Sequence, residues 1–286
     1  MRNADATKRP ASIAIGRAWA GEVLFNRRPV REDSKVETTF QPANPYTLPH
    51  GQRFGPMDPA LTVLSFRDED GKSIATLFHL PCHSVAIYSA DARISFDWPG
   101  AVCEQLRKAL GGEAIFMQGC AGDIVPARRG LAERDAMAQL VSERALAAVT
   151  NSLVLVPGLL KINRSPVTLA LTPSAGRDFG SASITSEVQT IACGSLAITA
   201  LPGEPLTGIG QEILRRSPFP HTLVLGYSNG NGVEYVGLPG EKGRGGYEMG
   251  ECGEGTDGCG QVLIEACETQ LKKLYTSRPA ATWEPK

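Results

Sequence analysis

The chain has 286 residues, 42% of them hydrophobic and 21% charged, with 29 Lys plus Arg against 30 Asp plus Glu. That hydrophobic share excludes a disordered or fibrous chain and suits one large domain or two small ones, and the balanced charge excludes the basic field that gathers nucleic acid. The seven cysteines are odd in number and sit mostly in apolar runs, which reads as buried thiols; only Cys252 and Cys259 lie in a glycine-rich loop where a disulfide or metal clip is conceivable.

The first residues carry charge, but no apolar core of signal-peptide length follows, and no run approaches the roughly 18 apolar residues of a membrane span. Residues 12–24 read as short extended or turn-like segments. Residues 25–59, rich in Pro, Gly and Asn without a lasting period, read as a long surface excursion. Residues 61–66 alternate, Asp68-Glu-Asp-Gly71 is a hairpin turn, and residues 73–80 return as a more buried strand. Pro81 rules out a helix through His79 and His83. On an extended chain four residues hold the two imidazoles about 13 Å apart, so at most one of them ligates a given metal.

Asp97 reads as the cap of a helix with Pro99 in its first turn, Val102, Leu106 and Leu110 as its apolar stripe, and Gly111-Gly112 as its stop. Residues 113–118 are a strand with a tight turn, Gly119-Cys-Ala-Gly-Asp123, off its end. Residues 131–152 form the longest amphipathic helix, burying Ala136, Leu140, Val141, Leu146 and Val149. Residues 159–171 and 187–201 read as strands, the latter broken by a hairpin turn at residues 192–195. A helix over 205–216, a buried strand over 222–227, ten glycines between residues 233 and 260, and a last helix over 261–275 complete the chain. The fold class is α/β, a mixed β-sheet flanked by helices.

Several apolar runs stop at a polar group, the pattern by which strand ends deliver side chains to a site: His83 after residues 75–82, Asp97 after Ile94-Ser-Phe96, and Asp123 after residues 116–122. A neutral imidazole at His83 suits metal binding or proton transfer, and equally a core histidine bonded to backbone. Glu204, in Leu201-Pro-Gly-Glu-Pro205, is rigidly placed at an element's end, as a ligand or as a charge complementing the following helix dipole. Tyr247, between glycines and Glu248, offers a phenolic oxygen to a metal or an oxyanion, or simply packs under its loop. Asp123 either caps a turn or orients a histidine.

Taken in order, Phe25-Asn-Arg-Arg28, Gly55-Pro-Met-Asp58, Cys82-His83, Ile94-Ser-Phe-Asp97-Trp-Pro-Gly100, Gln118-Gly-Cys-Ala-Gly-Asp-Ile-Val-Pro126, Leu201-Pro-Gly-Glu204, Gly226-Tyr-Ser-Asn229-Gly and Gly246-Tyr-Glu248 resemble the ordered motifs of the neutral/alkaline ceramidase family. The match covers nearly the whole chain. The resemblance implies a zinc amidase of sphingolipid metabolism that cleaves the N-acyl bond of N-acylsphingosine or a related lipid amide. His83, Glu204 and Tyr247 stand where the family keeps Zn2+ ligands; Asp123 and Tyr247 take the catalytic roles, and Asp97 and Asn229 contact substrate. The family's His-Thr-His-Ser-Gly-Pro motif, with its first zinc histidine, is not in this sequence. Its Gly-Asp-Val-Ser-Pro serine is Val125 here, which has no hydroxyl to attack with and so favours direct attack by water. The resemblance thus implies one catalytic domain over residues 1–286, shortened at its amino end and without the family's carboxy-terminal immunoglobulin-like domain. A partner chain or second copy would complete its zinc site. The alternative is an inactive remnant serving as a binding or scaffold subunit.

Overall fold

The alternating stretches around the Asp68 to Gly71 turn pair as an antiparallel hairpin, β5 (Ala60–Arg67) with β6 (Ser73–Leu80). Gly71 closes it at φ +78°, a conformation that glycine adopts without strain. In the computed structural model, which describes residues 5–87, 94–230 and 232–276, β1 (Ser12–Trp19) adds antiparallel to β5, and β9 (Leu153–Val154) adds to β1. On the hairpin's other edge β6 pairs parallel with β7 (Glu113–Gln118), which requires a crossover, supplied by α1 (Asp97–Leu110). The sheet order is β7-β6-β5-β1-β9.

A second sheet, ordered β10-β11-β12-β14, repeats the device. β10 (Leu160–Ala170), β11 (Ser183–Cys193) and β12 (Leu196–Ala200) run antiparallel; α4 (Thr207–Arg216) then carries the chain to β14 (His221–Leu225), parallel to β12. The sheets meet through Ile15, Leu64, Met117, Leu155, Leu196 and Leu223. Each such side chain, fully buried, contributes about 1.5–3 kcal/mol. α1 and α2 (Leu131–Thr150) cover the outer face of the first sheet, α4 and α5 (Cys259–Thr276) that of the second, giving four layers, α-β-β-α. Among the described residues no helix is long and apolar enough to cross a membrane.

Three local expectations need correction, and one short helix is added to them. α2 buries Met137, Ala138, Val141, Ser142, Ala145, Ala148 and Val149, whereas Ala136 is exposed and Leu140 and Leu146 only half-buried. Small residues win this face because α2 lies almost on the backbone of β1: a Cβ on Gly16 would stand 1.9 Å from Ala148 O. The excursion over residues 25–59 begins as β2 (Leu24–Asn26) and holds a short hairpin, β3 (Val30–Arg31) with β4 (Gln52–Arg53), and its Asn26, Arg27 and Arg28 are buried. A short helix, α3 (Pro173–Phe179), precedes β11, with Thr172 Oγ1 accepting from Ala175 N–H at 3.3 Å as its cap. Asp97 is the first residue of α1 and does not cap it. Its carboxylate turns back to accept from Ala86 N–H, Ile87 N–H and Trp98 N–H at 3.1, 3.0 and 2.6 Å. That clamps the segment following His83, which helps explain why the chain tolerates φ +54° at Asp97.

Candidate functional site

Because β6–β7 and β12–β14 are both parallel pairs, the carboxyl ends of four strands from two sheets emerge at one place. Gly226 N–H donates to Gln118 O at 3.2 Å and stitches these ends together. Three residues past β6 lies His83, whose N–H and Nδ1 both reach Ile124 O, at 3.0 and 2.9 Å, while Trp98 Nε1 donates to His83 O at 3.0 Å. Ile124 belongs to β8 (Ile124–Pro126), paired antiparallel with β2. Four residues past β12 lies Glu204, at the start of β13 (Glu204–Pro205), which pairs parallel with β15 (Tyr235–Val236) and so sets Glu204 opposite Tyr235. Two residues past β14 lies Tyr227.

The three side chains converge. His83 Nε2 is 3.1 Å from Glu204 Oε2, Tyr227 Oη donates to Glu204 Oε2 at 2.7 Å, and Tyr227 Oη is 3.1 Å from His83 Nε2. Burial pushes the Glu204 pKa up, but contacts with His83 and Tyr227 outweigh it, so the carboxyl stays below its ordinary range. Burial and the Glu204 charge push the Tyr227 phenol well above its ordinary range, keeping it protonated. Since the Ile124 carbonyl only accepts, Nδ1 carries a proton, and where Nε2 carries none it is an acceptor facing a carboxylate. One hydroxyl proton then serves two acceptors. A second proton on Nε2, or a cation shared by the three donor atoms, satisfies them.

Behind this triad sits a buried ionic network. Arg27 Nε donates to Glu248 Oε1 at 2.6 Å, Arg28 Nη1 to Glu248 Oε2 at 2.9 Å, and Arg28 Nη2 to Glu241 Oε2 at 3.0 Å. Arg27 Nη2 also donates to Gly122 O at 2.9 Å and to Tyr235 Oη at 3.0 Å, linking the network to Glu204 through Tyr235. Burial disfavours the Arg27 charge, yet Glu248 and Tyr235 more than offset this and raise its pKa.

The other expected residues divide. Asp123 is buried behind the triad: Oδ1 accepts from Thr207 N–H and Oγ1–H at 2.8 Å each and Oδ2 accepts from Asn26 Nδ2 at 2.8 Å, fastening α4 to β2. Burial raises its pKa against those three hydrogen bonds. Tyr247 packs edge-on to Tyr235, ring centroids 5.9 Å apart, and edge-on to Phe40 at 5.1 Å. Its hydroxyl pairs with Cys252, which with burial pushes the phenol up to about 12. Asn229 Nδ2 donates to Ala200 O and Glu187 O at 3.1 and 3.3 Å, pinning the turn after β14. Val125 is fully buried beside Phe25 and Ala127. All seven cysteines are free, so Cys252 and Cys259 form no disulfide. Among the described residues no three His, Cys, Asp or Glu side chains group as a metal site. The convergence at Glu204 is instead one imidazole, one carboxylate and one phenol. Tyr227 and Tyr235 were not singled out in the sequence as partners of Glu204, although Tyr227 carries the same signature as His83 and Glu204, a polar group just past an apolar strand.

His79, the other histidine of the pair, goes elsewhere: it is buried between the sheets with Nε2 donating to Val224 O at 3.2 Å. Burial lowers its pKa below 6.5, against weaker opposing effects of Val224 and Asp58. As pH falls through the unfolded value the unfolded chain takes up a proton that the folded chain refuses, so stability drops on that side. The urea midpoint should therefore fall between about pH 7 and about pH 5, and fall less in His79→Gln. Parallel profiles for the two proteins would refute this.

No family model matches the chain, and no curated protein matches it. Solved structures do. A crystal structure of neutral ceramidase from Pseudomonas aeruginosa superposes with a TM-score of 0.69 at 16% identity, covering 95% of this chain and 54% of that one. A ceramidase complexed with C2 superposes with a TM-score of 0.73 at 15% identity, covering 100% of this chain and 57% of that one. The chain has the fold of these proteins over about half of their length.

Proposed function

We propose that the chain is a hydrolase resembling neutral ceramidase, cleaving the amide of an N-acyl lipid such as N-acylsphingosine, with Zn2+ at His83 and Glu204. The observation that carries this reading is the convergence of His83 Nε2, Glu204 Oε2 and a phenolic oxygen within 2.7–3.1 Å of one another at the carboxyl ends of strands. A nitrogen and oxygen set of three suits zinc in a catalytic site, which keeps a position open for water or substrate. Bound zinc supplies Lewis acidity and lowers the pKa of water at neutral pH. His83 is oriented by the Ile124 carbonyl, as metal-ligating histidines are.

With Val125 buried, no hydroxyl from β8 is offered as a nucleophile. In this reading Tyr247 donates a hydrogen bond to the developing oxyanion and Asp123 positions the wall by fixing Asn26 and Thr207. Asp97 and Asn229 shape the substrate path through the backbone they hold. A partner chain or second copy would add the donors that the triad lacks. The test is fatty-acid release from N-acylsphingosine and from short N-acyl amides by the purified chain, with zinc and with a chelator. Zinc-dependent release is the expected result. No release by the zinc-loaded chain, alone or co-expressed with its neighbouring reading frame, would leave the binding or scaffold reading.

A further inference from the structure

We propose that a cavity between the two sheets, lined by none of the triad residues, binds a small amino carboxylate, with the ligand's carboxylate at Arg17 and its ammonium at Asp58 and His79. The site does not rest on the hydrolase reading. Its polar groups are gathered by cross-strand register. On the face that the first sheet turns to the second, Ile15, Leu64 and Leu77 form an apolar row across β1, β5 and β6. Two residues along each strand, the next row on that face is Arg17, Thr62 and His79. Neighbouring strands lie about 4.8 Å apart, which sets the Arg17 and His79 backbones about 10 Å from each other with Thr62 between them. β14 and α4 close over this row and leave a cavity of about 220 Å³, with Asp58 at its side and Cys120, Leu214 and Val224 as apolar wall. A cavity of about 150 Å³ holds a benzene, so this one admits roughly six to ten heavy atoms.

The row is polar without being paired. His79 is only 6% exposed, and its Nε2 donates to Val224 O at 3.2 Å. Burial disfavours the charged imidazole, so Nδ1 keeps a lone pair, and among the described residues no group donates to it. Asp58 Oδ1 accepts from Ala60 N–H at 3.1 Å, which leaves Oδ2 open. Arg17 is exposed on the rim and forms no ion pair among the described residues. The unmet needs are thus a donor for His79 Nδ1 and Asp58, and an acceptor for Arg17. One ligand carrying both an ammonium and a carboxylate meets them. A lone anion would meet the Asp58 charge unscreened, and a lone cation would leave Arg17 without a partner. The apolar wall suits a short aliphatic part between or beside the two charges.

The experiment is isothermal titration calorimetry of the full chain with glycine, L-alanine and β-alanine, against acetate and methylammonium as controls that each carry one of the two charges. At least one amino carboxylate should bind saturably at about one per chain, about tenfold or more tightly than either control, since each control leaves a charged group unpaired. Arg17→Gln and Asp58→Asn should each weaken that binding by about tenfold or more. Neither side chain is in the hydrophobic core, so both variants should stay folded, which urea unfolding checks. Arg107→Gln, on α1 and outside the cavity lining, should match the parent. Acetate binding as tightly as the amino carboxylates would reduce the site to an anion contact at Arg17 and overturn the proposal. So would affinity unchanged in both cavity variants. No saturable binding of any of the three amino carboxylates would overturn it too, and would mean that the cavity holds water only.

Discussion

Glu248→Ala is expected to lower the unfolding free energy by about 3–5 kcal/mol, the cost of breaking a buried ion pair by removing one partner. Glu248 is 0% exposed, and its two carboxylate oxygens take hydrogen bonds from Arg27 Nε and Arg28 Nη1 at 2.6 and 2.9 Å. Both guanidiniums are themselves buried, at 5% and 3% exposure. Removing the carboxylate strands the Arg27 guanidinium with only Gly122 O and Tyr235 Oη, and Arg28 with Gly245 O and Glu241. Cation–π contact of Arg27 with the Phe40, Tyr235 and Tyr247 rings, 5.4–5.7 Å from their centroids, offsets only part of that loss. Glu248→Gln keeps the shape but loses the charge and should fall between the two. Urea unfolding at neutral pH measures this, with Glu212→Gln on the solvent side of α4 as a control whose solvent-screened pairs with Arg215 and Arg216 should matter little. A loss below about 1 kcal/mol for Glu248→Ala would mean that water reaches the arginines and that the network is not sealed.

That network also marks where the sequence stopped being legible. Strands were readable where short apolar runs were bounded by turn residues, as in β5 and β6 around the Asp68 to Gly71 turn. So was the α/β layout, since apolar strands followed by helical stripes give the parallel pairs β6–β7 and β12–β14. Burial of charge leaves no local trace. Arg27 and Arg28 sit in a polar, Pro-rich stretch that reads as surface, and their partner Glu248 lies about 220 positions further on. The α2 face failed for a related reason: Ala138, Ala145 and Ala148 face inward because Gly16 admits the helix backbone, a fact about β1 that residues 131–150 do not contain. At the site, His83 and Glu204 were legible from strand ends and from the resemblance, and the structure brings them within 3.1 Å. Tyr227 and Tyr235 were not, because a tyrosine in or after a strand is more often packing than chemistry, and only the β12–β14 and β13–β15 pairings put their hydroxyls beside Glu204.

If His83 and Glu204 act through one ion, His83→Ala, Glu204→Ala and the double variant should lose amide hydrolysis to about the same extent. Each is expected to fall by about 10³-fold or more, roughly 4 kcal/mol of transition-state stabilisation, because the charge that polarises the substrate leaves with either ligand. Groups acting as a unit are non-additive, so the second substitution finds nothing left to remove. Independent roles, a proton shuttle at His83 and a substrate anchor at Glu204, would instead give losses that multiply. Neither side chain is in the hydrophobic core: His83 and Glu204 are 13% and 24% exposed, and the backbone anchor of His83 at Ile124 survives truncation of the ring. Both single variants should therefore stay folded, and circular dichroism with urea unfolding separates lost chemistry from lost structure. Kinetics on a short N-acyl amide, with zinc content measured on the same samples, decide the matter. Equal losses with zinc absent from all three variants support a shared ion. Multiplying losses, or either single variant within about tenfold of the parent, would remove the metal from the mechanism and leave His83 and Glu204 as an ordinary hydrogen-bonded pair at the seam of two sheets.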